Sequence, residues 1–203
     1  MSPDCVPPQP PRWTFRDEPA RYLVYMSALG ALPARALFIN GTVGAGKTTT
    51  VNEIGTLLQR RRIPHAVIDL DSLRNAWPSP PGDRFNLELE LENLAAVATN
   101  FRYAGAEILL LAGVLEVAAV RARYEAAVGV PLTVCRLVVA VPSLRSRISA
   151  RHRAGEERDW HLARTGELDA ILEAAQVDDL TVTADDGPPD VIAARVLAAV
   201  GWV

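Results

Sequence analysis

The segment 38–50, FINGTVGAGKTTT, decides the fold of this 203-residue chain. It contains Gly41-Thr-Val-Gly-Ala-Gly46-Lys47-Thr48, which fits the pattern G-x-x-x-x-G-K-[ST] at every defined position. The glycines let consecutive backbone N–H groups turn inward toward an anion, where a Cβ would collide. A helix that begins after the loop points the positive end of its dipole at the same anion. The segment therefore predicts a phosphate-binding loop.

The residues predicted to hold the phosphates of a nucleotide are consecutive, and they are Gly41, Thr42, Val43, Gly44, Ala45, Gly46, Lys47, Thr48 and Thr49. In this motif the lysine reaches the β- and γ-phosphate oxygens, and the hydroxyl of the next residue binds Mg²⁺. Lys47 and Thr48 are expected to play these two parts. ATP and Mg²⁺ are the predicted cofactors.

The flanks of the loop separate this prediction from its alternative, a glycine-rich turn that binds nothing. Residues 36–39 form a short apolar run suited to a buried parallel strand. Val51, Ile54 and Leu58 then fall on one face of a helix. Since a strand before the loop and a helix after it are the context that the motif requires, both flanks favour nucleotide binding.

Charge and composition restrict the partners of the chain. It carries 21 Lys and Arg against 24 Asp and Glu, a net charge of −3. No overall basic field is available to hold nucleic acid or an anionic membrane surface, so we predict neither partner. The apolar stretch 108–120 is too short to span a bilayer and contains Glu116. The oligomeric state is left open.

The two cysteines, Cys5 and Cys135, are far apart and lack the spacing of metal ligands. This usage indicates a reducing compartment and no structural zinc. Cys135 lies in an apolar run and is expected in the core. Because the N-terminus also lacks the charged-then-apolar order of a signal peptide, a cytoplasmic location is expected.

The chain is predicted to consist of a leader and one domain. Residues 1–15 are crowded with proline and have little to bury, which predicts a disordered leader. Residues 16–203 suit a single α/β domain that begins with a helix at 16–29. A segment around 143–165, with a polar break at 154–158, is expected to form a lid.

Five apolar runs predict the strands of one sheet, at 36–39, 66–71, 107–112, 132–141 and 180–183. Helical patterns separate them, at 48–62, after a cap at Asn86, at 113–128, after a cap at Ser143, from about 159 and up to 199. Strands separated by helices imply a parallel sheet with helices on both faces. A ligand is expected beyond the carboxyl ends of the strands.

Asp69 and Asp71 are the second functional cluster. If both lie on the second strand, its period of two residues puts their carboxylates on the same face. Phosphoryl transfer needs Mg²⁺ held near the phosphates and a base for the acceptor hydroxyl, and carboxylates serve for both. The alternative is that Asp71 only caps the following turn. Residues 109–113 lack the carboxylate that a hydrolytic P-loop protein carries after this strand, which disfavours a hydrolase.

The loop GTVGAGKT, the strand end IDLDSLR and the helix ENLAAVATNFRYAGAE resemble the small P-loop kinases related to adenylylsulfate kinase and chloramphenicol phosphotransferase. The resemblance covers about residues 34–200 and implies the P-loop NTPase fold in its nucleoside and shikimate kinase-like form. It also implies an ATP-dependent phosphotransferase that acts on a hydroxyl of a small molecule. The D-x-x-R spacing is similar to that of zeta-toxin-like kinases, which act on nucleotide sugars.

The resemblance assigns roles to the second cluster. Asp71 corresponds to the general base and Arg74 to the residue that holds the acceptor or its charge. Asp69 then becomes a ligand of Mg²⁺ through water. The chain departs from an adenylylsulfate kinase, because 109–115 lacks the expected serine and 154–159 lacks a K-G-L-Y-like lid. This departure argues against adenylylsulfate as the acceptor.

Arginines of the predicted lid are candidates for stabilising the charge of the transferring phosphate. Arg147 and Arg151 are four residues apart and share a helical face, and Arg158 lies in the polar break. We predict catalytic roles for Arg151 and Arg158, with a solvated basic face as the alternative. Asp185 and Asp186 follow the last strand, where related kinases contact adenine, although a plain turn explains them equally.

The predicted acceptor pocket contains Trp77, Arg84, Phe85 and Trp160. Aromatic rings stack on flat or sugar-like ligands, which would suit an antibiotic, a nucleoside or a sugar alcohol. Ordinary packing is the alternative for each ring. A regulatory ATP-binding module without kinase activity remains the alternative to an enzyme, and a pure switch has no need of a base such as Asp71.

Overall fold

The computed structural model describes residues 34–151, 153–185 and 187–202, without the side chain of Arg151. The predicted leader at 1–15, the predicted helix at 16–29 and the candidate residue Asp186 lie outside the described residues. The part of the chain that the structure describes contains no helix long and apolar enough to cross a membrane.

The fold is built on a five-stranded sheet. Its strands are β1 (Arg35–Asn40), β2 (His65–Asp69), β3 (Ile108–Ala112), β4 (Leu132–Val138) and β5 (Leu180–Thr183). They lie in the order β2-β3-β1-β4-β5, and every neighbouring pair is parallel. In the centre, Phe38 of β1 aligns with Leu111 of β3 and Val134 of β4. The five-stranded parallel sheet predicted from the apolar runs is confirmed.

Helices cover both faces of this sheet. They are α1 (Lys47–Arg60), α2 (Leu70–Leu73), α3 (Leu87–Tyr103), α4 (Ala118–Val128), α5 (Val141–Arg151), α6 (Glu156–Ala175) and α7 (Pro189–Ala199). One core joins alternate strand residues such as Ile39 to α1 and α7, and the other joins residues such as Phe38 to α3 and α4. Strand residues on both faces are buried, which is why these strands are continuous apolar runs. Cys135 is buried in the first core, as expected.

The helix predicted at 113–128 begins only at Ala118. The reason is the buried side chain of Asn40, the last residue of β1. Its amide donates to the carbonyl of Leu115 (3.2 Å) and its oxygen accepts from the Leu115 N–H (3.0 Å) and from the Gly41 N–H (2.9 Å). These bonds replace the helical hydrogen bonds of Leu115, so the chain stays irregular from 113 to 117.

Two predicted boundaries in the lid segment are wrong. Helix α5 begins at Val141, so Pro142 lies in its first turn, where the missing N–H has no helical partner to lose. Ser143 is therefore inside the helix rather than its cap. Helix α6 begins at Glu156, which places Arg158 in a helix and not in a polar break.

Asn86 precedes α3 but does not cap it with its side chain. The carboxylate of Asp83 does so instead, because it accepts from the backbone N–H groups of Leu87 (2.8 Å) and Glu88 (3.1 Å). These bonds lower the pKa of Asp83 below its ordinary value. Asn86 has φ 54° and points its amide at the carbonyls of Arg74 (2.9 Å) and Ala76 (3.0 Å). The segment 75–85 is a loop, as predicted.

Candidate active site

A cavity of about 960 Å³ lies at the carboxyl edge of the sheet. The loop after the central strand β1 lines its middle, the residues after β2 line one end and the start of α7 lines the other. Four strand spacings separate β2 from β5, a span of roughly 19 Å. The cavity is therefore large enough for a nucleotide and a small second ligand side by side.

The phosphate loop is held open toward this cavity. Gly46 has φ 93°, a left-handed conformation that favours glycine, and a Cβ there would meet no atom within 4 Å. Gly44 has φ 81° and lies against α5, since its Cβ would come within 3.2 Å of Ile148. Lys47 donates from Nζ to the carbonyl of Thr42 (3.1 Å), across the loop. A phosphate group fits this cradle of backbone N–H groups at the start of α1.

Thr48 and Asp69 form the oxygen pair that fits Mg²⁺. The Thr48 hydroxyl donates to Asp69 Oδ2 at 2.9 Å, which brings the first turn of α1 to the end of β2. Within the described residues no group of three or more His, Cys, Asp or Glu side chains could hold a metal ion. The two oxygens of Thr48 and Asp69 still suit Mg²⁺, because this ion prefers oxygen and takes one or two protein ligands together with phosphates.

The structure corrects the reason for grouping Asp69 with Asp71. Strand β2 ends at Asp69, and Asp71 lies in the short helix α2, so the two carboxylates do not share a strand face. Asp69 is the cap of α2, because its Oδ1 accepts from the Asp71 N–H at 3.1 Å. Asp69 therefore ends the strand and starts a helix as its cap, and the strand does not continue to Asp71. Both aspartates nevertheless line the cavity.

Arg74 joins two carboxylates. Its Nε donates to Asp71 Oδ1 at 3.0 Å, its Nη2 donates to the same oxygen, and its Nη1 lies 3.2 Å from Glu90 Oε2. Tyr124 Oη donates to the other oxygen of Glu90. Burial raises the pKa of Glu90 above its ordinary value, although the Tyr124 hydrogen bond and the Arg74 charge oppose the rise. Burial and the Glu90 charge raise the pKa of Tyr124, which keeps its proton.

Sequence reasoning missed this role of Glu90, although the sequence contains a signal for it. Leu87, Glu90, Leu91 and Leu94 share one helical face, so a charged residue lies within the apolar stripe of α3. A carboxylate at such a position needs a buried partner, and the nearest arginine beyond the loop is Arg74. The stripe alone did not show which arginine turns toward it.

Glu116 and Arg164 form a second pair that the sequence analysis missed. Arg164 Nη2 donates to Glu116 Oε1 at 2.6 Å, and both residues line the cavity. The end of β3 has no room for a carboxylate, because a Cβ at Gly113 would lie 2.5 Å from Leu70. The irregular segment after β3 brings Glu116 to the cavity instead. The signal in the sequence is that Glu116 is the first acidic residue after β3.

The cavity includes only some of the predicted site residues. Phe85 and Trp160 line it, and both are partly exposed. Arg147 also lines it, but its Nη2 donates to the carbonyls of Ala184 (2.7 Å) and Asp185 (3.1 Å). The side chain of Arg151 lies outside the described residues.

The structure does not bring the remaining predicted residues to this cavity, and Gly41 and Thr42 at the start of the phosphate loop do not line it either. Trp77 is 93% exposed and Arg84 lies over the ring of Phe85, 5.5 Å from its centroid. Arg158 is next to Asp159, with its Nε 3.6 Å from Oδ1. Asp185 accepts from the Ala140 N–H at 2.7 Å and so joins the loop after β5 to the start of α5. None of these four residues lines the cavity.

The strand order, the loop and the cavity together define the fold of the small P-loop kinases, and the resemblance is confirmed at that level. A tunicamycin resistance protein of Deinococcus radiodurans is similar with a TM-score of 0.59 and 17% identity over 84% of this chain and 97% of that one. A gluconokinase from Sinorhizobium meliloti 1021 gives 0.55 and 19% over 83% and 92%. The Mycobacterium tuberculosis APS kinase in complex with AMPPNP and APS gives 0.54 and 20% over 84% and 99%.

Neither a protein-family model nor a curated protein matches the sequence. At 17 to 20% identity, the similar structures establish the fold. The chemistry of this protein depends on the residues that line the cavity.

Proposed function

We propose that the chain is an ATP- and Mg²⁺-dependent phosphotransferase that phosphorylates a hydroxyl group of a small molecule. The observation that carries this proposal is the position of Asp71, which lines the same cavity as Lys47 and Thr48 and is held there by Arg74. A regulatory nucleotide-binding module would need the phosphate loop but not an oriented carboxylate facing it.

The two ends of the cavity suit different ligands. Ile148, Gly187, Pro189 and Ile192 line the end near β5, where an adenine ring finds mainly apolar surroundings. The end near β2 carries Asp71, Arg74 and Phe85, which suit a polar acceptor. One similar structure was solved with AMPPNP and APS, which supports a nucleotide and a second ligand in a cavity of this fold.

The residues around the phosphate loop supply binding and orientation. ATP bound with Mg²⁺ supplies the γ-phosphoryl group. Lys47 neutralises charge on the β- and γ-phosphate oxygens, and Thr48 with Asp69 would hold the metal ion. Release of Lys47 from the Thr42 carbonyl makes its ammonium group available to the phosphates.

Asp71 is the proposed general base. Both hydrogen bonds from Arg74 reach Oδ1, and no described residue donates to Oδ2. Oδ2 therefore accepts the proton of the acceptor hydroxyl as the acceptor oxygen bonds to the γ-phosphorus and the bond from that phosphorus to the β–γ bridging oxygen breaks. ADP leaves with the bridging oxygen, and the phosphate ester remains on the acceptor.

Arg164 is the described arginine best placed to stabilise the transferring phosphate. It lines the cavity on α6, and Glu116 and Glu167 hold its guanidinium at 2.6 Å and 3.1 Å. The role that the sequence analysis gave to Arg158 has no support from its position, whereas Arg151 stays a prediction. Positive charge at this point meets the charge that spreads over the equatorial oxygens.

The acceptor is proposed to be an antibiotic, a nucleoside, a sugar or a related metabolite. Phe85 and Trp160 line the cavity with 46% and 44% of their surface exposed, so both rings offer faces for stacking. Two proteins of similar structure, a tunicamycin resistance protein and a gluconokinase, support an antibiotic or a sugar. Trp77 and Arg84 remain candidate acceptor contacts only if the loop that carries them moves inward.

The experiment measures transfer of labelled γ-phosphate from ATP and Mg²⁺ to pooled hydroxylated antibiotics, nucleosides, sugars and nucleotide sugars. The wild type is compared with Asp71→Asn, which keeps the size of the side chain and removes its basicity. We expect a labelled product and a kcat at least about 10²-fold lower in the variant, with unchanged ATP affinity. Asp159→Asn is a matched control outside the cavity and should retain full activity.

Other results would reassign the function. A product from a nucleotide sugar only, together with growth arrest of the expression host that Asp71→Asn abolishes, would indicate a zeta-toxin-like kinase. Tight ATP binding with no transfer to any member of the panel would favour a regulatory module. Equal kcat for the wild type and Asp71→Asn would rule out Asp71 as the base.

A further inference from the structure

Glu90 lies under the acceptor end of the cavity and is fully buried. An ionised carboxylate in such a place costs free energy unless partners compensate it. Tyr124, also buried, donates its hydroxyl proton to Oε1, and Arg74 Nη1 lies 3.2 Å from Oε2. Tyr124 is itself fixed by the ring of Phe38, with centroids 5.2 Å apart and an angle of 76° between the planes. Glu90 therefore has a rigid support on the side away from Arg74.

Arg74 connects this buried carboxylate to an exposed one. Its guanidinium uses Nη1 toward Glu90 and uses Nε and Nη2 toward Asp71 Oδ1. The Asp71 side chain is 69% exposed, so little packing restricts its rotamer. The contact with Glu90 is an ion pair without hydrogen-bond geometry. It keeps the Nη1 end of the planar guanidinium beside Glu90, and this restricts the direction of the opposite edge.

Two further side chains hold the same segment, one from the residue directly before α3 and one from α3 itself. Asn86 donates to the carbonyls of Arg74 and Ala76, and Asn93 donates to the carbonyl of Leu73 at 2.7 Å. Glu90 and Asn93 are three residues apart and share one face of α3, and Asn86 lies directly before this helix. The amides hold the backbone of the segment 73–76, and Glu90 holds its charged side chain.

We propose that Glu90 is a positioning residue for Asp71. Through Arg74 it fixes the carboxylate of Asp71 so that Oδ2 faces the cavity. This inference rests on the proposed function, in which Asp71 accepts the proton of the acceptor hydroxyl. Glu90 does not line the cavity, so it acts through Arg74.

The pairing has a role that simple packing would not need. Replacing a buried ion pair by apolar side chains of similar volume is often neutral or stabilising, so the charge of Glu90 is not required to fill the space under Arg74. A leucine at position 90 would fill the space but could not hold the Arg74 guanidinium in one orientation.

The main test compares Glu90→Gln with Glu88→Gln. Both variants remove one negative charge from α3, but Glu88 is exposed and pairs with Arg123 instead of Arg74. We expect Glu90→Gln to lower kcat by about 10- to 100-fold with less than about a twofold change in the Kd for ATP, because the base is misplaced and the phosphate loop is intact. Glu88→Gln should leave both constants unchanged.

A second readout does not depend on catalysis. In a ¹H–¹⁵N spectrum, the Nε–H of Arg74 should give a signal that Arg74→Lys removes, because hydrogen bonding to Asp71 slows its exchange with water. Glu90→Gln should shift this signal or broaden it beyond detection, and Glu88→Gln should not. If the wild type transferred no phosphate, the proposed function would fail while this signal still decided whether Glu90 orients Arg74.

A folded Glu90→Gln protein with unchanged kcat and an unchanged Arg74 signal would overturn the inference. A loss of activity that equals the loss of ATP-binding protein would instead be a folding defect of this variant. If Glu90→Gln does not fold, Tyr124→Phe replaces it, because that variant keeps the charge of Glu90 and removes only the hydrogen bond to Oε1. It should lower kcat with the ATP Kd unchanged, and a kcat equal to wild type would reject the proposal.

Discussion

The Thr48 hydroxyl donates a hydrogen bond of 2.9 Å to Asp69 Oδ2 and so connects the phosphate loop to the edge strand β2. Strand β3 lies between β1 and β2 in the sheet, so the contact is made above it, beyond the strand ends. Two oxygens from separate elements meet beside the phosphate loop. In the proposed function this pair would hold Mg²⁺ without a carboxylate at the end of β3.

The first prediction concerns this pair. Asp69→Asn keeps an oxygen that can cap α2 at the Asp71 N–H but removes the negative charge that faces Thr48. We expect the Mg²⁺ concentration for half-maximal activity to rise by about tenfold or more, because a neutral amide is a weak Mg²⁺ ligand. Titration of activity with Mg²⁺ at fixed ATP measures this. Asp71→Asn should lower kcat with the same Mg²⁺ midpoint, and a shifted midpoint there would move the metal site toward Asp71.

The second prediction concerns Lys47. Lys47→Ala should reduce activity by at least about 10²-fold, because the phosphates lose the charge that positions them. Steady-state transfer assays measure the activity, and titration with ATP by calorimetry measures the affinity for ATP. Lys47→Arg serves as a control that keeps the charge and changes its geometry. Normal turnover by Lys47→Ala would mean that the loop is not catalytic in this protein.

The third prediction distinguishes the arginines of the lid segment. Arg164 lines the cavity and Arg158, on the same helix, does not. Arg164→Ala should therefore lower kcat by about 10²-fold or more, while Arg158→Ala should stay within about twofold of the wild type. Single-turnover transfer with saturating ATP measures the difference. The opposite order of the two variants would restore the role that the sequence suggested for Arg158.

The fourth prediction uses the cap of α3. The hydrogen bonds from Leu87 and Glu88 lower the pKa of Asp83, so its ionised form favours the folded state. The stability that it contributes is present above the pKa of Asp83 in the unfolded chain and is lost as the pH falls through the lower, folded pKa. Asp83→Ala should melt at a lower temperature than the wild type at neutral pH.

The pH dependence supplies the control for this cap. Thermal melts of the two proteins should converge as the pH falls, since a protonated Asp83 accepts the same bonds only weakly. Asp190→Ala, in the first turn of α7 and without a hydrogen bond to that helix, should show a smaller difference. A constant difference between wild type and Asp83→Ala at every pH would mean that packing, rather than the charged cap, stabilises the start of α3.

Local patterns were sufficient for most of the fold. The run 180–183, LTVT, is short but is bounded by polar turns, and β5 has the predicted bounds. Errors arose where a side chain distant in sequence competes for the backbone. Asn40 prevents the helix predicted at 113–117, and this contact spans 75 residues, which no periodicity can show. The strand end at Asp69 was misplaced because an aspartate can either finish a strand or cap a helix.

The residues of the site could be predicted where a sequence motif fixes their spacing. They could not be predicted where a side chain's contact depends on how helices pack. The phosphate loop follows from its own glycines and lysine. Arg74 was identified from its D-x-x-R spacing from Asp71 in the sequence, but its contact with Glu90 depends on how α3 packs against α2. Similarly, Arg158 and Arg164 are both arginines on one helix, and only the path of α6 over the sheet brings Arg164 to the cavity.

The side chain of Asn40 has a thermodynamic consequence. One buried amide holds the first peptide of the phosphate loop at Gly41 and the peptide of Leu115 next to Glu116. Opening either segment removes a bond from this buried amide, so we expect the two segments to exchange their amide protons together. Ligand that orders the loop would thereby also protect the segment that carries Glu116, although the two are separated by more than 70 residues of chain.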